Sequence, residues 1–319
     1  MNEPSLNRDF EKARGIRSQR NRGFLRLFSA LILPLCALLF TAAASHAQDE
    51  RLVPSYDENS GFIRDFPGID LDVHPYVNSW KDSPVRAGFG GFAVQDILTP
   101  GDPLHPPRKG AVLTYLKQFS HGILYGSAQT EKVRHSDEQA IFYIMRGAGR
   151  VEAGADRIEI GEGAGVFVPA GIEYRFVNTA GIPLEAIIIV ERAPAGFIPV
   201  NHIVVKRCRE QTPGFCCWAY TIYSLFGKGD GLSEPMGIAV VMVEGFGMGS
   251  PHYHVKGCEE IWLKLSGAPN PLLLGKKLLR QDIGDAFLPA PNGLMPHAVV
   301  NDTDRPMTWL YVGNRHDKK

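Results

Sequence analysis

The chain has 319 residues and balances 34 Lys and Arg against 34 Asp and Glu. No basic stripe runs along it, which argues against nucleic acid as a partner, and no low-complexity tail marks a scaffold. The length is about twice that of a common single domain, enough for two separate hydrophobic cores.

Residues 1–47 read as an export signal. Seven Arg and Lys precede an apolar run from Leu27 to Phe40, and Ala43-Ala-Ser-His-Ala47 offers a small-x-small cleavage site. The run is too short to span comfortably as a permanent helix, so a retained signal anchor is the weaker alternative. Arg20-Asn-Arg22-Gly-Phe24-Leu25-Arg26 resembles a twin-arginine signal with its first arginine displaced, which leaves the export route open. Cys36 follows Leu35 rather than a small residue, against a lipoprotein anchor. The mature chain is expected to begin at Gln48, in the periplasm or outside the cell, with no stable membrane anchor. It carries 27 basic and 31 acidic residues.

Residues 48–108, rich in Pro, Gly, Asp and aromatics, are expected to form an ordered extension with few regular elements. Beyond it the apolar runs are of strand length, β-branched or aromatic, and bounded by Gly, Pro or Asn: Val166-Phe-Val168, Ala186-Ile-Ile-Ile-Val190, Ile238-Ala-Val-Val-Met-Val243 and Met307-Thr-Trp-Leu-Tyr-Val312. No sustained helical periodicity competes with them. The spacing predicts an all-β protein with one unit over 109–192, a bridge over 193–235 and a second unit over 236–315. The apolar residues Ile203-Val-Val205 and those from Trp218 to Leu225 suggest that the bridge pairs with the second unit. Four cysteines follow the signal. A bond from Cys208 to Cys216 or Cys217 would staple the bridge, the vicinal pair Cys216-Cys217 could instead take a metal, and Cys258 reads as a small apolar filler.

The second unit carries a candidate metal site. His252 and His254 point the same way only on an extended strand. One of Glu259 and Glu260, together with His297, would complete a set suited to a divalent transition ion, Fe, Mn, Ni, Cu or Zn, with room for water or substrate. A one-residue slip on a strand reverses the face, so only one of the two glutamates can meet the ion. Glu260 is favoured because six residues separate it from Gly267, and Glu259 is then turned outward. With Glu260 inward, Trp262 and Lys264 share its face, and an inward ammonium would suit an anionic or carbonyl-bearing substrate as a catalytic group. Tyr253 and Phe287 are further candidates for the pocket wall.

These stretches resemble the cupin superfamily, whose motifs are G-x5-H-x-H-x3/4-E-x6-G and G-x5-P-x-G-x2-H-x3-N. Gly245 to Gly267 matches the first, although Phe246 holds the strict glycine position and Gly245 and Gly247 flank it. Gly284 to Asn301 matches the second with one extra residue on each side of Pro291-Asn-Gly293. A weaker copy lies upstream at His135 to Gly147 and Gly163 to Asn178, where Val133, Ala140 and Tyr174 stand in three ligand positions and His135 alone remains. Pairing the copies on their glycines sets Ala140 against Glu260.

The resemblance implies two jelly-roll barrels in tandem, the first metal-free and the second holding the ion on His252, His254, Glu260 and His297. It implies a metal-dependent enzyme on a small oxygenated or anionic molecule, with a dioxygenase favoured, and it is compatible with a homo-oligomer. The alternative is a non-catalytic binding or sensing protein that uses the same pocket. Oxalate decarboxylases resemble the chain but ordinarily keep ligands in both barrels, which counts against that activity.

Overall fold

The apolar run Ala186–Val190 is buried on both faces, and this double burial sets the architecture. In the strand Leu184–Arg192, Ala186, Ile188 and Val190 join a core with Phe142, Tyr174 and Phe176, whereas Ile187 and Ile189 join another with Tyr143, Trp262 and Leu263. Side chains alternate across a strand, so a continuous apolar run needs a packed layer on each side. The first core is the interior of one barrel, and the second extends into its neighbour.

The computed structural model describes residues 71–233 and 236–315. The expected signal peptide, Cys36 and residues 48–70 of the extension lie outside the described residues. The described chain is nearly all β, as the apolar spacing requires, with helical turns of three residues each. The first barrel sets an eight-stranded sheet against a four-stranded one. The larger runs in the order Val204–Arg207, Ala164–Val168, Glu138–Arg146, Leu184–Arg192, Leu116–Leu124, Phe92–Pro100, Val85–Gly88, with Ala111–Leu113 as an eighth strand parallel to Phe92–Pro100, and the smaller Val133–Arg134, Glu173–Asn178, Ala148–Ala153, Asp156–Gly161. The second barrel sets a seven-stranded sheet, Val77–Ser79, Asp285–Phe287, Cys258–Ser266, Met307–Arg315, Met236–Val243, Tyr220–Phe226, Gly214–Cys216, against the three strands Lys277–Gln281, Asn270–Leu274, His297–Val299.

The extension and the bridge are both shared between the barrels. The extension is not poor in regular structure: Val77–Ser79 pairs with Asp285–Phe287 of the second barrel, and Phe92–Pro100 pairs with Leu116–Leu124 of the first. The bridge divides in the same way. Val204–Arg207 adds to the first barrel through Ala164–Val168, which corrects the expectation that this stretch joins the second, while Tyr220–Phe226 does pair with Met236–Val243. An apolar strand shows that it will be buried but not which sheet edge will take it.

The turn before the histidines keeps the backbone its motif demands without the glycine. Phe246 sits at φ 57°, in the left-handed region that glycine adopts at no cost. Its ring is exposed, so the side chain meets no crowding there. Gly249 is fixed for a different reason, because a Cβ on it would fall 2.1 Å from the Tyr220 hydroxyl.

Glu259 is the largest departure from expectation. It faces away from Glu260, as alternation demands, but it is buried rather than turned to solvent. Its carboxylate reaches the loop between Ala111–Leu113 and Leu116–Leu124 and accepts the backbone N–H groups of Thr114, Tyr115 and Leu116 at 2.5 to 3.0 Å. Burial pushes its pKa up while the three N–H donors oppose that rise. One side chain of the second barrel thus satisfies three donors of the segment leading into the first. Glu259→Ala is expected to destabilise the protein by about 2–4 kcal/mol, because it strands those donors, and to leave metal content per folded molecule unchanged. Urea unfolding with elemental analysis of the refolded protein checks both.

Candidate metal centre

His252 and His297 face each other across a bridged pair of extended segments, each donating its N–H to the other's carbonyl at 3.3 and 2.9 Å. Their rings are 4.6 Å apart, and His254 stands 5.0 Å from the first and 5.4 Å from the second. The strand Cys258–Ser266 brings Glu260 beneath them. Its Oε2 lies 2.5 Å from His254 Nε2 and 3.1 Å from His297 Nε2. One ligand atom from each of the four residues falls within 4.8 Å of all the others.

The surroundings orient these groups. Trp262 Nε1 donates to Glu260 Oε1 at 2.8 Å, which turns Oε2 toward the imidazoles. His252 Nδ1 lies 2.8 Å from the Ser250 carbonyl, which can only accept. Nδ1 therefore carries the proton and Nε2 keeps its lone pair, the usual device for presenting imidazole to a metal. Burial, reinforced by the charges of His297 and His254, pulls His252 below the ordinary imidazole range, while the Ser250 carbonyl and Glu260 oppose it. Burial alone would raise Glu260. The charge of His297 and the bonds from His254 and His297 outweigh it and hold Glu260 well below the usual carboxylate range. A His252 pushed toward its neutral form beside a Glu260 held ionised suits the binding of a transition ion. Glu260 Oε2 and His297 Nε2 are buried with no polar partners beyond the members of this cluster, and an ion among them would satisfy the remaining lone pairs. The donor set fits a divalent transition metal.

His252, His254 and Glu260 line a cavity of about 250 Å³, and His297 is buried beside them. The bridge supplies much of its wall: Tyr220, Ile222, Ser224 and Phe226 recur at every second position of one strand, with Cys216 and Cys217 beside them. Ala239, Val241, Trp262 and Tyr311 face them. Sequence reasoning missed this wall, although the two-residue spacing from Tyr220 to Phe226 was a readable signal for it. Of the aromatic candidates Trp262 alone lines the cavity; Phe287 is buried core behind His297, and Tyr253 is largely exposed.

The proposed catalytic position of Lys264 is corrected. Its side chain is buried on the same face as Glu260 and Trp262, but it is absent from the cavity lining. Nζ donates to Asn270 Oδ1 at 2.5 Å and Met307 Sδ at 3.1 Å and lies 4.7 Å from the Trp309 ring centre. Alternation did put it inward; Trp262 closes the cavity before the lysine is reached.

The corresponding part of the first barrel is packed with rings. Tyr174 lies 5.9 Å from both Phe142 and Phe176 and 6.4 Å from His135, and Ala140 is buried beside them. His135 is 3.6 Å from Glu138. The cysteine pairing also differs from expectation: Cys216 is bonded to Cys217, and Cys208 and Cys258 are in no disulfide. Cys208 is anchored beside Gly163, where its N–H bonds to the glycine carbonyl, so it does not staple the bridge to itself.

Residues 123–190 match the family model for the cupin domain. Oxalate decarboxylase of Bacillus subtilis, solved as a single-residue variant, superimposes with a TM-score of 0.59 at 16% identity, covering 78% of this chain and 79% of that one. A Pseudomonas aeruginosa protein described as glyoxylate-induced superimposes at 0.62 with 15% identity, covering 76% and 90%. The fold is that of a bicupin. No curated protein matches the sequence.

Within this fold the metal is expected in the second barrel. His254→Ala and Glu260→Gln are each expected to lower transition-metal affinity about 100-fold or more, while His135→Ala retains close to one equivalent, as read by elemental analysis. Lys264 is expected to govern stability instead. Burial lowers its pKa from 10.5 to about 8, so between those values the unfolded chain holds more protons and stability rises with pH. Lys264→Met should abolish that rise and, through removal of a buried ammonium, stabilise the protein at pH 7 by on the order of 1–3 kcal/mol, measured by urea midpoints at pH 7 and 10.

Proposed function

We propose that the protein is a metal-dependent enzyme of the dioxygenase type, acting outside the cytoplasm on a small oxygenated molecule with an apolar body. The observation that carries this reading is the cluster of three imidazoles and one carboxylate, of which His252, His254 and Glu260 open on a cavity whose wall is otherwise mainly apolar. The basic leader and its Ala-x-Ala-like end support the location.

His252, His254, Glu260 and His297 would hold the ion. Four protein ligands on a six-coordinate ion leave two positions, and a redox-active metal there can polarise a bidentate oxygen ligand and bring O2 alongside it. The protein's own part is orientation and exclusion of water. Trp262 and the Ser250 carbonyl fix the donors, and Tyr220, Ile222, Phe226 and Val241 form a surface on which an apolar body is desolvated. A cavity of about 150 Å³ admits a benzene ring, so this one suits a single substituted ring or a short branched chain.

The wall also bears on charge. No Lys or Arg is among the described residues that line the cavity. A small dianion such as oxalate would have only the metal to neutralise it, whereas a neutral or singly charged chelate would leave no charge uncompensated. The relation to oxalate decarboxylase therefore supports the scaffold and not that substrate.

Oxygen-electrode traces of Fe-loaded protein mixed anaerobically with catechols or β-diketones, then exposed to O2, test the proposal. Uptake is expected with at least one such compound and is expected to fall about 100-fold in Glu260→Gln. Oxalate should give neither uptake nor CO2. Binding without turnover across the series would favour the non-catalytic binding protein.

A further inference from the structure

Cys216 and Cys217 are joined by a disulfide and stand in the wall of the same cavity as His252 and His254. A bond between adjacent residues closes a ring through the intervening peptide, so the φ of Cys217 becomes a ring torsion. That φ is 51°, and Trp218 follows at 73°, both in the left-handed region that residues with a Cβ avoid. The second angle belongs to a three-residue turn in which Ala219 N–H returns to the Cys217 carbonyl at 3.0 Å. The same carbonyl accepts Ser250 N–H at 3.2 Å, and the Ser250 carbonyl in turn accepts from His252 Nδ1 at 2.8 Å. Two hydrogen bonds thus run from the cysteine ring to a metal-binding imidazole.

We propose that Cys216–Cys217 is a thiol-exchange site for dithiol reductants, and that its redox state sets metal affinity by positioning His252. This rests on the metal reading of the centre. Cys216 is exposed and Cys217 half-buried, so the entering thiolate attacks Cys216 Sγ. The S–S bond breaks, its electron pair leaves on Cys217 Sγ, which takes up a proton, and a mixed disulfide forms at Cys216. The reductant's second thiol attacks its own sulfur in that mixed disulfide, closes to a cyclic disulfide and releases Cys216 as a thiol. The protein gains two electrons and two protons from one dithiol. With the ring open, Cys217 is free to leave the left-handed region and its carbonyl turns. Ser250 then loses its acceptor, and the carbonyl that fixes the His252 tautomer and ring plane shifts. Loss of such an outer partner typically lowers metal affinity about 10- to 100-fold.

The experiment uses the whole protein, oxidised or reduced with dithiothreitol that is then removed by anaerobic desalting. Thiols are counted under native conditions, and Co2+ is titrated with its visible absorption as readout. Reduction is expected to raise the count by two and weaken Co2+ binding about 10- to 100-fold, with recovery on reoxidation. The Cys216→Ser/Cys217→Ser protein should show the weaker affinity throughout and no response to the dithiol. Equal affinity in both forms, no gain of two thiols, or a response that persists in the double variant would each overturn the proposal. So would a fall in affinity accompanied by loss of near-UV circular dichroism, since reduction would then be unfolding the barrel. Absence of Co2+ binding in either form would overturn the metal reading along with it, whereas equal binding in both forms overturns the cysteine proposal alone.

Discussion

Two carboxylates stand side by side on one strand, and the period of that strand sends them to opposite faces. Glu260 enters the cavity, where imidazoles surround it; Glu259 leaves through the other face, where three backbone N–H groups receive it. Neither has water to fall back on, and burying a carboxylate without partners is prohibitive. The donor groups on both faces must therefore be in place together. Ile261 and Leu263 continue the Glu259 face into the core shared with the first barrel. The register of Cys258–Ser266 thus couples the candidate site to the packing of one barrel on the other.

The two barrels divide the labour that this coupling allows. Where the second presents ligands, the first presents Val133, Ala140 and Tyr174, and Phe142 and Phe176 pack around the tyrosine. A ring cluster of this kind buries a large apolar area in well-defined geometry. The first barrel in turn offers Ile141, Tyr143, Ile187 and Ile189 from its outer face as a platform for the second. The motif framework kept in both halves is the common requirement of the turns. The ligands answer to chemistry and remain where the cavity is.

The chemistry of the site comes from unequal surroundings. Glu260 has a hydrogen-bond donor at one oxygen and imidazoles at the other, which keeps it ionised despite complete burial. His252 is kept neutral by burial and aimed by a carbonyl. Lys264, two residues beyond Trp262, has an amide oxygen and a thioether for company, and its depressed pKa expresses the poor solvation that those neutral partners provide. An ammonium placed so is a structural tension and not a handle for substrate.

The sequence by itself determined the β class, the duplicated framework and the four residues of the candidate centre. Each of these rests on local rules: turns that need a left-handed residue, strands that alternate, and ligand types at fixed spacing. The choice of Glu260 over Glu259 was legible for the same reason, since strand phase is counted along the chain. The fate of Glu259, the depth at which the cavity stops short of Lys264, the division of the bridge between two sheets and the pairing of Cys216 with Cys217 were decided only by the tertiary structure. The first three depend on what lies opposite a residue across a packed interface, where the partner can be more than a hundred positions away in sequence, as Thr114 is from Glu259; the cysteine pairing depends on the local backbone, with Cys217 at a φ of 51°. Alternation gives the direction in which a side chain points; what it meets there is fixed by how the sheets close.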